Sequence, residues 1–158
     1  MQDAILKQLK ALNIAFEVVK HPPLFHEKDA DKHGVKLNCT STKCLLLTNK
    51  HKSHYYLVIL PLSEKADIKA LQSFTNEKKL SFTDAETVAQ VLNVTIGSVS
   101  LLNLFFADKR NLTLLISKTL LFAGKVGFHP NKNTATVVFD ATNIKTILDA
   151  IKINWQVL

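Results

Sequence analysis

Hydrophobic residues recur at helical spacing in four stretches of the chain. In the first stretch, leucines and an isoleucine between positions 5 and 12 fall on one face with lysines between them, which is typical of an amphipathic helix. Two later stretches follow residues suited to cap a helix, Thr83 or Asp84 in one case and Thr142 in the other. A polar stretch at 27–33 is also compatible with a helix. The four amphipathic helices are predicted at residues 3–12, 67–74, 84–92 and 144–151.

β-Branched and aromatic residues concentrate in short runs bounded by turn-forming residues, a pattern that predicts strands. The runs at 42–48 and 55–61 are joined by a polar turn and predict a hairpin. The runs at 101–107 and 112–117, separated by Asp-Lys-Arg-Asn, predict a second hairpin. Because strands joined by short turns pair antiparallel, we expect an α+β fold with a mixed, mainly antiparallel sheet flanked by helices. Further strands are predicted at residues 14–20, 80–82, 126–129 and 134–140.

Length and composition describe a folded chain of ordinary domain size. A chain of 158 residues predicts one domain, residues 1–158, and 47% hydrophobic against 21% charged residues excludes an intrinsically disordered chain. No apolar run approaches the roughly 20 residues that span a membrane, and the first residues do not form a targeting signal. We therefore expect a cytoplasmic protein that does not enter a membrane. In that compartment Cys39 and Cys44 should be free thiols.

The chain is basic, with a formal charge of +7, and nineteen of its twenty basic residues are lysines. A lysine ammonium suits phosphate oxygens, whereas the reading of base edges usually employs arginine. The charge therefore favours contact with a nucleic-acid backbone over sequence reading. The alternative interpretation, that lysines merely keep the surface soluble, is equally consistent with the charge alone.

Motifs of the commonest enzyme classes are absent from the sequence. It has no glycine-rich phosphate loop, no G-x-S-x-G turn, no H-E-x-x-H and no paired C-x-x-C motif. His51 and His54 have a spacing that could hold a metal, but they lie in a polar turn without a nearby carboxylate or cysteine. We therefore expect neither a metal site nor a cofactor.

Three segments are unusual for a plain α+β domain. Lys43 begins an apolar strand, where a lysine is costly unless its ammonium reaches water or a partner. Residues 97–100 place a scarce glycine and two hydroxyls between a helix and a predicted strand, and residues 127–136 concentrate Gly, His, Pro and Asn in one loop. The plain alternatives are a lysine that reaches solvent, a connector and a hairpin turn.

Taken in order, these segments carry a resemblance that covers nearly the whole chain. Its features are the opening His21-Pro22-Pro23-Leu24-Phe25, the Lys43 strand followed by the strand His-Tyr-Tyr-Leu-Val-Ile-Leu-Pro, residues 97–100 and, above all, residues 127–136. The chain resembles the YbaK/ProX family of aminoacyl-tRNA deacylases, in particular the free-standing ProX-type (PrdX) prolyl-tRNA editing proteins. The resemblance implies a partly barrel-like sheet and the hydrolysis of alanine wrongly attached to proline tRNA.

The resemblance also implies roles for individual residues. Lys43 would be the catalytic residue, which holds the ester end of the substrate and stabilises charge on the carbonyl oxygen. The partners would be the acceptor end of a mischarged tRNA and prolyl-tRNA synthetase, and the reaction would need no metal or cofactor. The residues expected to bind substrate are Gly97, Ser98, Val99, Ser100, His129 and Asn133.

Two positions depart from the family pattern and leave alternatives open. The family usually has asparagine after the key lysine and proline after the glycine segment, whereas this chain has Cys44 and Leu101. The same chemistry on a serine or cysteine ester is therefore an alternative. Another alternative is a non-catalytic module that binds tRNA ends or a synthetase.

Overall fold

Helices and strands are interspersed along the computed structural model, which describes residues 1–26 and 28–158. Two short 3-10 helices, Ile96–Ser98 and Leu101–Phe105, lie between α4 and β5. The α-helices of the described residues are α1 Gln2–Ala11, α2 Asp29–Lys32, α3 Ile68–Thr75, α4 Ala85–Leu92, α5 Lys118–Leu121 and α6 Asn143–Ile151. The strands of the same part of the chain are β1 Phe16–Lys20, β2 Thr40–Asn49, β3 Tyr55–Pro61, β4 Leu80–Phe82, β5 Leu112–Ile116, β6 Lys125–Phe128, β7 Ala135–Asp140 and β8 Asn154–Val157.

The strands form one mixed sheet in the order β1-β7-β6-β2-β3-β5-β8, with β4 paired to β2. Within the described residues, four pairings are antiparallel and three are parallel. The ten-residue strand β2 links the two halves, because Thr40 and Ser41 pair with β6 while residues 42–48 pair with β3. This topology confirms the predicted α+β fold with a mixed, mainly antiparallel sheet.

Alternation along the strands separates a core face from a second face of the sheet. On β6 and β7, Phe128 and Phe139 stack with ring centroids 5.6 Å apart and belong to the main hydrophobic cluster, which α1 and α6 also join. Gly127 and Val138, which pair with each other, occupy the alternate positions and lie outside that cluster. Since side chains alternate between faces along a strand, the residues in register with Gly127 are turned away from the core.

The second predicted hairpin is wrong. Leu101–Phe105 is a 3-10 helix, and β5 pairs in parallel with β3 and β8 instead of antiparallel with a strand at 101–107. Three residues of this 3-10 helix, Leu101, Leu102 and Leu104, are fully buried. A short apolar run of this kind fits a buried helical turn as well as a strand, so periodicity alone could not separate the two.

Smaller differences concern caps and edges. Asp84, not Thr83, caps α4, since its side chain accepts a hydrogen bond from the Thr87 amide at 2.8 Å. Thr142 precedes α6 but caps nothing, because its hydroxyl donates to Asp140 Oδ1 instead. Strand β8 was not predicted, although Ile153, Trp155 and Val157 alternate with polar residues in the pattern expected of a strand. The helix predicted at 27–33 is shorter in the structure, where α2 covers four residues. Glu27, the first residue of that prediction, lies outside the described residues.

The remaining predicted helices and the β2–β3 hairpin are confirmed, with boundaries shifted by one or two residues. Cys39 and Cys44 are free, as expected. Across residues 1–26 and 28–158, no helix has both the length and the apolar character needed to cross a bilayer.

Candidate active site

A cleft of about 250 Å³ is lined by Gly127 and Thr136 from the face of the sheet that is turned away from the main core, and also by Val99 and Cys44, which belong to that core or pack against it. It brings together the three segments that the sequence singled out: β2, the 97–100 segment and the loop that follows β6. The loop that follows β1 and the helix α2 also contribute to its wall. Among its lining residues are Lys43, Gly97, Val99, Gly127, His129 and Thr136.

Gly127 lets three strands approach each other closely at the bottom of the cleft. It pairs with Ser41 on one side and with Val138 on the other, and its carbonyl accepts a hydrogen bond from the Thr42 hydroxyl at 2.7 Å. A Cβ at this position would lie 2.8 Å from the Cys39 sulfur and 2.8 Å from the Thr136 methyl carbon. A side chain at this position would therefore require the Cys39 and Thr136 side chains to shift.

Lys43 is half-buried near the start of β2, where it pairs with Leu60, and it lines the cleft. The one ion pair among the described residues joins Arg110 to Asp108 on the exposed surface. The described part of the chain therefore offers no carboxylate that neutralises the Lys43 ammonium. This places a positive charge at the wall of a small, partly enclosed cleft.

His129 follows the end of β6, the strand that pairs with β2, and its ring is oriented by the main chain. Nδ1 donates a hydrogen bond to the Ala135 carbonyl at 3.1 Å. Burial lowers the pKa of His129, the bond to Ala135 opposes this shift, and the neighbouring His21 ring adds to it. The imidazole is therefore held neutral near pH 7, with its proton on Nδ1 and the lone pair on Nε2.

Thr136 forms part of the same wall and is supported by a buried histidine. His21 is only 8% exposed, and its Nδ1 donates to the Pro22 carbonyl at 2.8 Å. The other ring nitrogen of His21 lies 2.8 Å from the Thr136 hydroxyl. Neither His21 nor Thr136 was predicted as a site residue, although both belong to the stretches that carried the family resemblance.

Ser98 and Ser100 were expected to line the cleft, and the structure places both inside the protein instead. They are 3% and 1% exposed. The Ser100 hydroxyl caps the following 3-10 helix by accepting a hydrogen bond from the Leu102 amide, because the chain turns inward here instead of entering a strand. Of the 97–100 segment, Gly97 and Val99 line the cleft.

The mouth of the cleft is bordered by apolar side chains. A Cβ on Gly97 would lie 3.7 Å from the Phe25 ring and 3.8 Å from the Asn133 amide nitrogen, so both side chains adjoin Gly97. Asn133 thus borders the site without forming its wall. Phe25 is 68% exposed and lines the cleft together with Ile96, which is also exposed. From the sequence, Phe25 was noted only as part of the His-Pro-Pro-Leu-Phe motif and was not predicted to be a site residue.

Cys44 lines the cleft beside Lys43, but its sulfur is not a nucleophile. Burial raises the pKa of the Cys44 thiol to about 12, and hydrogen bonding from the Leu101 backbone opposes this shift only in part. A thiol with this pKa stays protonated at neutral pH, whereas the thiolate is the reactive form. Cys44 and Leu101, the two departures from the family pattern, are therefore neighbours in the structure.

Metal-ligating side chains do not cluster in the parts of the chain that the structure describes. No group of three histidine, cysteine, aspartate or glutamate residues is close enough there to hold an ion. The Nε2 atom of His54 lies 2.8 Å from the Thr113 hydroxyl. That contact occupies one of the two ring nitrogens of His54.

Comparison with known families identifies the family of the chain. Residues 23–147 match the family model of the aminoacyl-tRNA editing domain. The chain belongs to this family, the YbaK/ProX family. An editing domain of this kind has aminoacyl-tRNA as its substrate class. The expectation drawn from the motifs is thereby confirmed at the level of the family.

Individual proteins resemble this editing domain over most of its length. It is 27% identical to the prolyl-tRNA editing protein ProX of Acetoanaerobium sticklandii over 149 residues, which cover 94% of this chain and 91% of that protein. It is 31% identical to the prolyl-tRNA synthetase associated domain-containing protein 1 of Mus musculus over 135 residues, covering 83% and 79% of the two chains.

Solved structures show the same fold. A crystal structure of a hypothetical protein superposes with a TM-score of 0.72, covering 96% of this chain and 95% of that one. A crystal structure of a candidate trans-editing enzyme for prolyl-tRNA synthetase gives a TM-score of 0.71 and covers 99% and 96%. Both are 16% identical in sequence, so the likeness concerns the fold alone.

Proposed function

We propose that this editing domain hydrolyses the ester bond of mischarged tRNA in trans, with alanine on proline tRNA as its preferred substrate. The observation that carries the proposal is the position of Lys43 in a small cleft that His129 and Gly97 also line. The names of the two relatives above, a prolyl-tRNA editing protein and a prolyl-tRNA synthetase associated protein, support proline tRNA as the carrier. They also support prolyl-tRNA synthetase as a partner.

The chemistry needs positioning and charge stabilisation more than a strong nucleophile. An aminoacyl ester is already reactive toward water, so the enzyme must hold its carbonyl and stabilise the oxyanion that forms when water attacks. In our proposal the Lys43 ammonium faces the carbonyl oxygen and supplies that stabilisation. The neighbouring ribose hydroxyl of the substrate activates the water, so that no general base of the protein is needed.

Specificity would follow from the size of the cleft. A synthetase pocket that fits proline cannot strongly reject alanine, because the lost methylenes contribute only about 1–3 kcal/mol. A second site that admits alanine and excludes proline removes only the error. Gly97 and Val99 are the wall residues that would set this limit, since both line the cleft with Lys43 and Gly97 adjoins the Phe25 ring.

The surroundings of the cleft suit the acceptor end of a tRNA. Phe25 and Ile96 present exposed apolar surface at the mouth, on which the terminal base can stack. Lys28 and Lys32 are exposed at the two ends of α2, whose Ala30 lines the cleft. Ammonium groups at these positions can contact phosphates, which predicts binding that weakens steeply with salt.

We further propose that residues 1–158 act as one editing domain in the cytoplasm, where aminoacyl-tRNA is found. The main hydrophobic cluster supports a single unit, because it contains Ile5 and Leu9 from α1 together with Ile151 and Ile153 near the end of the chain. The family match itself covers residues 23–147, so the outer segments complete the core of the matched region.

A deacylation screen with the purified protein tests the proposal. Proline tRNA charged with alanine, serine, cysteine or proline is incubated with the protein, and release of the amino acid is followed. We expect rapid release of alanine and none of proline. Faster release of serine or cysteine would change the substrate in our proposal, as the Cys44 and Leu101 departures allow. Binding without release of any amino acid would identify a non-catalytic tRNA-binding module.

A further inference from the structure

We propose that His129 and Thr136 together bind the α-ammonium group of the substrate, so that the cleft selects esters of α-amino acids over esters of α-hydroxy acids. This inference rests on the proposed deacylase function and adds to it the group by which the substrate is oriented. It follows from where the hydrogen atoms of the two side chains point.

The hydroxyl proton of Thr136 is directed away from the cleft. The Pro22 carbonyl can only accept a hydrogen bond, so the Nδ1 atom of His21 must donate to it. In the neutral ring, Nε2 of His21 then carries no hydrogen, and the Thr136 hydroxyl donates to it at 2.8 Å. The Thr136 oxygen therefore keeps its lone pairs as acceptors for a donor in the cleft.

The free ring nitrogen of His129 is also an acceptor. Its Nδ1 atom carries the proton that is donated to the Ala135 carbonyl. Nε2 has no hydrogen-bond partner among the described residues. In that part of the chain, Gln2 Oε1 is the only fully buried side-chain nitrogen or oxygen atom without a partner, so Nε2 of His129 is not fully buried. Since His129 lines the cleft, the lone pair of Nε2 opens into it.

The two acceptors lie at the β6–β7 pair, and the positive charge of the site lies on the neighbouring strand β2. His129 follows β6, which pairs with β2, and Thr136 lies in β7, on the other side of β6 from Lys43. An ammonium group is repelled by Lys43 and attracted by lone pairs, so it belongs on the β6–β7 side. An α-amino ester thus fits in one orientation, with its carbonyl oxygen toward Lys43 and its ammonium toward His129 and Thr136.

A second hydroxyl of the cleft provides a matched comparison. Thr42 lines the cleft, and its hydroxyl donates to the Gly127 carbonyl at 2.7 Å, which leaves lone pairs free as in Thr136. However, Thr42 precedes Lys43 on the same strand, so an ammonium group near it would approach the lysine charge. We therefore expect Thr42 to play no part in recognition of the α-ammonium group.

The test compares alanyl-tRNA with lactyl-tRNA, in which a hydroxyl replaces the α-ammonium group on the same proline tRNA. Each enzymatic rate is divided by the spontaneous hydrolysis rate of the same ester at the same pH. We expect the wild-type protein to prefer the alanyl ester by about 10- to 100-fold, the value of a hydrogen bond to a charged group. Thr136→Val should largely remove this preference, whereas Thr136→Ser and Thr42→Val should retain it.

The outcomes separate this inference from the proposed function. Equal normalised rates for the two esters in the wild-type protein would overturn the inference and leave the deacylase function standing. A full preference in a folded Thr136→Val variant, checked by circular dichroism, would also overturn the role of Thr136. Failure to hydrolyse any aminoacyl-tRNA would overturn both. If Thr136→Val does not fold, the wild-type comparison and the Thr136→Ser variant decide the question.

Discussion

Asn103 and Asn131 join the two segments that flank the candidate active site. The Asn103 side-chain nitrogen donates to the Asn131 side-chain oxygen at 2.6 Å, and the Asn103 oxygen accepts from the Ser100 amide. Asn103 is 2% exposed, and Asn131 has a left-handed backbone with φ of 67°. One buried amide thus couples the 97–100 segment to the loop that carries His129.

Removal of this amide should destabilise the protein. We expect Asn103→Ala to lower the free energy of unfolding by about 1–3 kcal/mol, because the Ser100 amide and the Asn131 oxygen both lose a buried partner. Asn131→Gly removes only the link between the loops and keeps a backbone that tolerates positive φ, so its effect should be smaller. Urea denaturation measures both. Equal losses in the two variants would contradict the bridging role of Asn103.

Two glycines of the cleft should respond differently to the same substitution. Gly127→Ala should cost about 1–3 kcal/mol of unfolding free energy, because its Cβ would lie 2.8 Å from the Cys39 sulfur and from the Thr136 methyl carbon. At Gly97 the nearest atom is 3.7 Å away, so Gly97→Ala should fold normally and lower kcat/KM by narrowing the cleft. Thermal unfolding and deacylation assays on the pair distinguish a packing role from a steric one.

Lys43→Ala tests the catalytic assignment. We expect kcat for alanyl-tRNA to fall by about 10²- to 10³-fold, the usual effect of removing one group that stabilises an oxyanion. The melting temperature should change little, since Lys43 is half-buried and makes no ion pair with a described residue. Lys50→Ala, in the exposed turn after β2, is the control for loss of one positive charge. Unchanged turnover in a folded Lys43→Ala protein would remove the proposed role.

The stability of the protein should depend on the protonation of His129. Burial lowers its pKa in the folded state below the ordinary value of 6.5. As pH falls through 6.5, the unfolded chain takes up a proton that the folded protein does not, so stability decreases until the folded pKa is reached. Urea denaturation at about pH 7.5 and about pH 5.5 should show this decrease, and His129→Asn should reduce it. An identical decrease in the variant would assign the effect to other groups.

Phe25 should contribute to tRNA binding and not to folding. It is 68% exposed at the mouth of the cleft, so Phe25→Ala should leave the melting temperature unchanged. Loss of a stacking surface should weaken binding of the aminoacylated tRNA by about 1–3 kcal/mol. Phe122, which is 78% exposed and does not line the cleft, offers a matched control. Equal effects of the two substitutions would show that general surface hydrophobicity, not stacking, is responsible.

Part of the site was accessible to sequence reasoning because its residues are locally conspicuous. Lys43 interrupts an apolar strand, and Gly97 and His129 belong to segments of unusual composition. The structure brings all three to one cleft. The capping partnership of Ser100 and Asn103 also had a local signal, a hydroxyl followed three residues later by a side-chain amide. The apolar run at 101–107 obscures that signal, because the same residues also fit a strand.

The amino-acid pattern by itself determined the amphipathic helices, the β2–β3 hairpin and the family, because helical spacing, turn residues and short motifs act over a few neighbouring positions. Only the tertiary structure decided the parallel position of β5 and the contact of Thr136 with His21, which is 115 residues away in the chain. Such contacts depend on which apolar surfaces can be buried together. That choice is made by the packing of the whole core, and no local stretch of sequence encodes it.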